Sequence, residues 1–401
     1  MPKSNVPPHW NGLQISAKPR RSKRDQLVSH FRDAIRHGFL VKGTRLPSSR
    51  QLAADLGVSR QTVVAAYERL ALEELVESRY GDGTYVAIDI GTVQPVKSGF
   101  KPKSSRLPQR ARQILELPIT PHLRAKRGLL SPGVPALEEF PWATWRKAGE
   151  LLERSSAVDR LDRVEPLGVA KLRSAIAEYI AFSRGVLCDP EQIVVTAGAH
   201  NAIDLIARVI FDPGDEVWFE DPGYVAARAT LVMNGAKVRP VPVDENGLRV
   251  EDGLQSSPQA RAAFVTPSHQ YPLGVEMTRT RRLQLLDWAE AHQAWIVEND
   301  FGSDFRYENR AVPTLHRMGQ EDGDRVIYVG TFSNVLAPGL RLGFLVAPGN
   351  LIEPIRRVRI FSDRQPPEPL PSQLAEFRAR GCLAVHLREM DSMCLDRRGA
   401  V

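Results

Sequence analysis

Thr331, Ser333 and Arg341 stand within one short stretch, Tyr328-Val329-Gly330-Thr331-Phe332-Ser333-Asn334-Val335-Leu336-Ala337-Pro338-Gly339-Leu340-Arg341-Leu342-Gly343. Two hydroxyls and a forked guanidinium at this spacing could surround one dianionic group, the hydroxyls giving neutral hydrogen bonds and the arginine a charge-assisted pair. An ordinary turn with an exposed arginine would carry the same letters, so the surroundings must decide. A second anion-binding pattern lies upstream in Ile193-Val194-Val195-Thr196-Ala197-Gly198-Ala199-His200-Asn201. A strand that runs through a small-residue turn into a helix aims free backbone N–H groups and a helix N-terminus at whatever lies above it.

These residues need an α/β body to hold them. From Ser131 onward helical and strand patterns alternate. Helices are expected over Pro141 to Leu152 and Leu172 to Phe182, and after Asn201, where Ile203, Leu205, Ile206 and Val209 recur at helical spacing. Toward the end, Gln373 to Met390 reads as a helix, and the polar stretch Asp391 to Val401 has no evident place.

Composition bounds the class. The chain has 401 residues, 42% hydrophobic and 25% charged, enough for two or three globular domains. No apolar run approaches a membrane span, and the polar, basic Met1 to Arg24 lacks the core of a secretory signal. Cys188, Cys382 and Cys394 have no metal-ligand spacing, which fits a reducing compartment and a cytoplasmic address. The net charge of +7 is unevenly placed. Residues 1–127 hold 23 Lys+Arg against 10 Asp+Glu, and the remainder 31 against 37, so a basic front (+13) precedes an acidic body (−6). Such a front is the footprint of a nucleic-acid-binding module, although a solvated basic tail would have the same charge.

The front has the pattern for that module. Leu27, Phe31, Ala34 and Ile35 mark a helix between Ser22 and Gly38. Ser48 or Ser49 can cap a short helix with Leu52, Ala53 and Leu56 inward; Gly57 turns the chain; Ser59 caps a second helix with Val63, Ala66, Tyr67 and Leu70 buried. Two β-prone runs, Leu75–Arg79 and Thr84–Ala87, flank Tyr80-Gly81-Asp82-Gly83 as a hairpin wing. The run Pro47-Ser48-Ser49-Arg50-Gln51-Leu52-Ala53 through Ser59-Arg60-Gln61-Thr62-Val63 to Tyr67 and Leu70 resembles the winged helix of the GntR family, departing at Glu74, near a position where that family usually has glycine. The resemblance implies a double-stranded DNA operator as partner. It points to Arg60, Gln61 and Thr62, beginning at Ser59, for base or phosphate contact, and to Arg50 and Arg79 as phosphate clamps. The winged helix is placed at 15–88, a basic Pro/Ser-rich tether without helical or strand period at 89–125, and the body at 126–401.

The body carries its own resemblance. Glu220-Asp221-Pro222-Gly223-Tyr224, Thr266-Pro267-Ser268-His269-Gln270-Tyr271-Pro272-Leu273-Gly274, Glu298-Asn299-Asp300-Phe301-Gly302-Ser303-Asp304-Phe305-Arg306-Tyr307, the Thr331–Gly343 stretch and Asp363-Arg364-Gln365-Pro366-Pro367 follow one another in the order of fold-type I aminotransferase-like domains. Joined to the winged helix, they resemble the MocR-type regulators. The resemblance implies an α/β fold with a mixed sheet, helices on both faces, a pyridoxal phosphate site and a homodimer. Ala199, His200, Thr331, Ser333 and Arg341 would form the phosphate cup, and Tyr224 would lie over the pyridine ring.

Three positions depart from that pattern. Asn334 stands where the family has its Schiff-base lysine, Asn299 where an aspartate meets the pyridine nitrogen, and Phe301 where a tyrosine meets the ring oxygen. On a strand Asn299 and Phe301 share a face and Asp300 points away, so Asp300 cannot substitute without a register slip. An amide forms no stable imine, so no catalytic residue is assigned. The chain also stops where the family continues into a small C-terminal domain, and is expected to be incomplete there. The expectation is a cytoplasmic transcription regulator in which a small-molecule effector, pyridoxal phosphate or a relative, binds without a covalent bond. Two rivals stay open: a DNA-binding remnant without ligand response, and a working aminotransferase with an accessory domain.

Overall fold

The computed structural model describes residues 22–79, 81–88, 107–117, 135–154, 165–302, 313–320 and 325–399. Tyr80 at the wing tip, Ser303 to Tyr307 of the third body motif, and tether residues 89–106 and 118–125 lie outside them. The chain divides into two compact units, one ending at Arg106 and the other beginning at Leu107.

In the first unit, α1 (Lys23–Arg36), α2 (Ser49–Leu56) and α3 (Arg60–Leu72) each start on a serine whose hydroxyl accepts a backbone N–H of the first turn: Ser22 from Asp25, Ser48 from Gln51 and Ser59 from Thr62. Gly57 ends α2 in the left-handed region at φ 61°, as a tight helix-to-helix turn requires. Strands β1 (Val76–Arg79) and β2 (Gly83–Val86) pair antiparallel as the wing. One core unites these parts through Leu27, Phe31, Ile35, Leu52, Val63, Ala66, Tyr67, Leu70 and Val86; each large side chain in it contributes on the order of 1.5–3 kcal/mol by burial. Arg32 clamps Glu73 with two short bonds of 3.0 and 2.7 Å, tying α1 to the end of α3. Glu74, at the departure from the GntR pattern, takes φ 58°, the conformation glycine would adopt without strain.

The second unit is built on an eight-stranded sheet in the order β3-β10-β9-β8-β7-β4-β5-β6. Its strands are β3 (Ile193–Thr196), β4 (Glu216–Asp221), β5 (Lys237–Asp244), β6 (Gly247–Leu248), β7 (Ala262–Val265), β8 (Trp295–Asp300), β9 (Val326–Thr331) and β10 (Gly343–Val346). From β9 through β8, β7 and β4 to β5 the strands are parallel; β10 runs antiparallel to both β3 and β9. Parallel strands buried on both faces explain the continuous apolar runs. Val194, Val217, Phe264, Val297, Val329 and Leu345 join one core with the Ala199–Ile210, Val225–Met233 and Gly349–Ser362 helices. Alternate residues face the other side, where Val195, Tyr328 and Phe344 meet the Trp142–Arg154, Ala170–Arg184 and Leu370–Ala379 helices. Trp218, Ala263 and Ile296 pack there with the Val250–Ser256 and Arg279–Ala291 helices.

Two readings of the sequence are corrected. Residues within the tether form a helix, Gln109–Glu116, whose Arg110 donates to the Met233 carbonyl; its neighbours' Pro, Lys and Ser content hid a segment held by tertiary contact. The stretch from Gln373 to Met390 is two helices, Leu370–Ala379 and Cys382–Gly399, separated at Gly381 with φ 73°. The second continues through Asp391 to Gly399, which the sequence left without a place.

Candidate nucleic-acid interface and candidate phosphate site

In the first unit, Arg50, Arg60 and Gln61 are exposed at the starts of α2 and α3. Arg60 Nε donates to Ser49 Oγ at 3.3 Å, a weak tether that leaves most of the guanidinium free to reach a phosphate or a base edge. Ser59 and Thr62 are already engaged. Their hydroxyls lie 2.8 Å apart and Ser59 caps the Thr62 N–H at 3.1 Å, so they shape the helix start more than they offer donors. On the wing, Arg79 pairs with Glu77 at 2.7 Å and lies 4.5 Å over the Tyr85 ring. Arg45, which sequence reasoning passed over, donates to the Asp82 carbonyl and flanks the same ring at 6.0 Å. An isolated bridge from Arg45 to Tyr85, with backbone bonds from Gly43 to Val86 and Leu46 to Thr84, brings it to the wing, and no local pattern marks it.

In the second unit, the expected site residues come from separate chain segments and meet at the carboxyl ends of the parallel strands, where open α/β sheets bind ligands. Gly198, at φ 87°, ends the turn after β3 and opens the Ala199–Ile210 helix without any side-chain cap. Arg341, itself left-handed at φ 51°, lays its guanidinium over Gly198: a Cβ there would come within 3.0 Å of Nη2 and 3.1 Å of Cζ. Gly343 makes this approach possible from the other side, since its Cβ would meet the Gly198 backbone at 2.9 Å. Thr331, at the end of β9, donates to Ser333 Oγ at 3.0 Å, and its oxygen accepts the Ser333 N–H at 3.1 Å. Uncapped amides, two hydroxyls and a guanidinium over a glycine form a cradle that fits a phosphate.

Tyr224 and His200 stack with rings 5.6 Å apart and 14° between their planes, and Tyr224 Oη lies 2.9 Å from His200 Nε2. Burial, followed by the Arg341 charge, lowers the His200 pKa; burial raises that of Tyr224, and Arg341 opposes the rise. Both groups are therefore uncharged near neutrality beside a permanent cation. Tyr271 bridges the ring of Tyr224 (5.7 Å) and that of Phe301 (5.8 Å). Sequence reasoning missed Tyr271, which falls at a variable position of its motif.

Asn299 and Asp300 fall on opposite faces as strand periodicity requires. Asn299 is 3% exposed, on the Val297 face, and its Oδ1 is buried without a hydrogen-bond partner. Asp300 Oδ2 accepts the Tyr328 hydroxyl at 2.6 Å and pairs with Arg184 Nε at 3.1 Å. Asn334 Nδ2 donates to the Phe301 carbonyl. The last lysine of the sequence is Lys237, so none of the segments from β7 onward carries an amine side chain. Lys237 begins β5, at the amino edge of the parallel strands, and Lys171 pairs with Glu376 at 3.0 Å.

Two supporting layers were also illegible beforehand. Buried Arg359 donates to the Val195 carbonyl, to Asn201 Oδ1 at 2.9 Å and to Asp363 at 3.1 Å, while Asn201 Oδ1 accepts the Ala197 N–H at 3.1 Å. This fixes the turn that holds Gly198. Glu220 receives the Thr266 N–H (3.1 Å), its hydroxyl (2.5 Å) and Gln270 (3.3 Å), anchoring the loop that presents Tyr271; burial pushes its pKa up to about 7. Two other concavities, of about 380 and 1110 Å³, share no residue with the cradle.

Comparison with known proteins agrees with both units. Residues 23–86 match the bacterial regulatory proteins of the gntR family, and residues 130–389 match aminotransferase class I and II. The chain is 40% identical over 377 residues to the probable rhizopine catabolism regulatory protein MocR of Rhizobium meliloti, covering 93% of this chain and 75% of that one. It is 34% identical over 376 residues to the pyridoxine biosynthesis transcriptional regulator PdxR of Corynebacterium glutamicum, covering 94% and 77%. Among solved structures it is similar to a multiple substrate aminotransferase from Thermococcus profundus, with TM-score 0.62, 27% identity and 73% of each chain covered. It is also similar to the alpha-aminoadipate aminotransferase LysN of Thermus thermophilus, complexed with N-(5'-phosphopyridoxyl)-L-leucine, with TM-score 0.60, 26% identity and coverage of 71% and 70%.

Proposed function

We propose a function from one premise: this chain belongs to the MocR type of GntR-family transcription regulators, a winged helix joined to an aminotransferase class I and II domain. The proposal is that the body is a sensor, holding pyridoxal phosphate or a related phosphorylated pyridine without a covalent bond and so setting the affinity of the winged helix for its operator. The reading includes a cytoplasmic homodimer whose two recognition helices read paired half-sites.

One observation supports it: Arg341 lies over Gly198 at the head of an uncapped helix and Thr331 bonds Ser333, while an amide, Asn334, stands at the position of the covalent anchor. Gly198, Ala199 and His200 would present backbone N–H groups to the phosphate, Thr331 and Ser333 their hydroxyls, and Arg341 a forked charge. Tyr224, backed by His200, would cover one ring face, and Asn299 and Phe301 would meet the ring edge. Pyridoxal phosphate supplies an electrophilic aldehyde and an electron-withdrawing ring. Asn334 has no amine to engage that aldehyde or to carry a proton, and its amide nitrogen donates to the Phe301 carbonyl. Binding without transamination follows.

The test is an absorbance titration of the protein with pyridoxal phosphate beside Asn334→Lys. Saturable perturbation of the free-ligand spectrum in the parent, with a covalent band only in the variant, is the expected result. No perturbation in either protein would refute the sensor reading, and a covalent band in the parent would refute the account of Asn334.

A further inference from the structure

We infer that the site selects the ligand with its ring nitrogen unprotonated, and that Asn299 is the selecting residue. This rests on the sensor reading above and deepens it.

The argument begins with what can reach the ring edge. Asn299 is the polar side chain of β8 on the cradle face, almost fully buried, with an oxygen that no protein group satisfies. An amide can turn over and present N–H instead, so it can donate to a neutral pyridine nitrogen or accept from a pyridinium. What decides is charge. The two acids of β8, Glu298 and Asp300, both lie on the opposite face and both are held there, Asp300 through its Oδ2. Asp300 is held by Tyr328 and Arg184. Glu298 accepts the Leu315 and His316 N–H groups at 2.9 and 2.8 Å, with Arg282 at 3.7 Å. A one-residue slip that brought Asp300 to the ring would break all of these contacts, so the register is locked.

Among the described residues, the charged group over the cradle is a cation, Arg341, which adds to burial in lowering the His200 pKa, while Tyr224, Tyr271 and Phe301 supply neutral walls. A pyridinium here would place a second positive charge in a half-buried pocket where none of the described residues around the ring brings a carboxylate to oppose it, whereas a neutral ring accepts the Asn299 N–H at no such cost. The same geometry makes the aldehyde dispensable. Asn334 is turned to Phe301, so a phosphorylated pyridine with an alcohol or amine at that carbon fits equally well.

The experiment uses the full chain with ring-¹⁵N-labelled pyridoxal phosphate at neutral pH, referenced to the free ligand's own neutral and protonated limits. The expected bound resonance lies at the neutral limit in the wild-type chain and moves to the protonated limit in Asn299→Asp. A wild-type resonance at the protonated limit overturns the inference and leaves the sensor reading intact. No bound resonance in the wild-type chain overturns both. Should Asn299→Asp fail to fold, the wild-type spectrum still decides, because its position is the claim. Competition completes the test: the alcohol form should displace the aldehyde within about threefold of equal affinity, and a tenfold preference for the aldehyde would contradict the role given to Asn334.

Discussion

The cradle and the ring floor of the same site, a few residues apart on β8 and β9, have gone different ways. The cradle keeps Arg341 over Gly198 and Thr331 hydrogen-bonded to Ser333. The floor has amides at Asn299 and Asn334 and a bare ring at Phe301. A phosphate is bound by fixed charge and backbone amides, which need no proton transfer; the chemistry of the aldehyde and ring needs an amine and a carboxylate. On the proposed reading, keeping the first set without the second would separate recognition from catalysis, as suits a domain that reports occupancy.

The largest effect expected lies beneath the floor. Arg184→Ala should leave Asp300 as an uncompensated buried charge and lower unfolding free energy by about 3–5 kcal/mol in denaturant melts. An effect below about 1 kcal/mol would mean Asp300 is not held as described and the register lock fails. Next is the cradle. Arg341→Ala should weaken binding of pyridoxal phosphate roughly 10- to 100-fold by titration, from loss of one charge-assisted contact, with little change in melting. Equal binding would place the ligand elsewhere.

Gly198→Ala sharpens the contrast further, because the methyl would occupy the space under the guanidinium at a positive φ. A cost of about 1–2 kcal/mol in stability is expected, together with weaker phosphate binding, while Asn334→Ala should leave stability nearly unchanged. In the first unit, where no site strain is involved, Glu74→Gly should stabilise the winged helix by about 0.5 kcal/mol by relieving φ 58°.

A separate effect is in pH. Burial pushes Glu220 and Glu298 up to about 7 and His316 down to about 4. The folded state then binds extra protons on the two carboxyls between about pH 4.5 and 7, so their contribution is present below that window and lost as pH rises through it. His316 acts oppositely, its contribution being lost as pH falls from about 6.5 to 4. Glu220→Gln should therefore flatten the fall in stability between pH 5 and 7 in calorimetry. An unchanged slope would mean Glu220 titrates normally.

Much of this was legible in the sequence because the deciding signals are local. Serine caps, Gly57 and the apolar stripes define the three front helices to within a residue or two, and the alternation of Asn299 and Asp300 follows from strand geometry alone, although the strand ends at Asp300 and Phe301 falls in the bend after it. The Gln109–Glu116 helix and the placement of Arg45 were not legible, since each depends on a partner distant in the chain, whereas the break at Gly381 is a local left-handed glycine that the apolar pattern ran across.

The sequence by itself determined which chemical groups stand at three positions of the site: no amine, hydroxyl or carboxylate is at 299, 301 or 334. Only the tertiary structure decided what the remaining groups do. Arg341 lies over Gly198 because β10 returns antiparallel beside β3 and β9, and Gly343 lets the backbones close. Asp300 is unavailable because Arg184 and Tyr328, distant in sequence, meet it on the far face of the sheet. Composition is a property of single positions; a charge's availability depends on which groups the fold brings within a few ångströms of it.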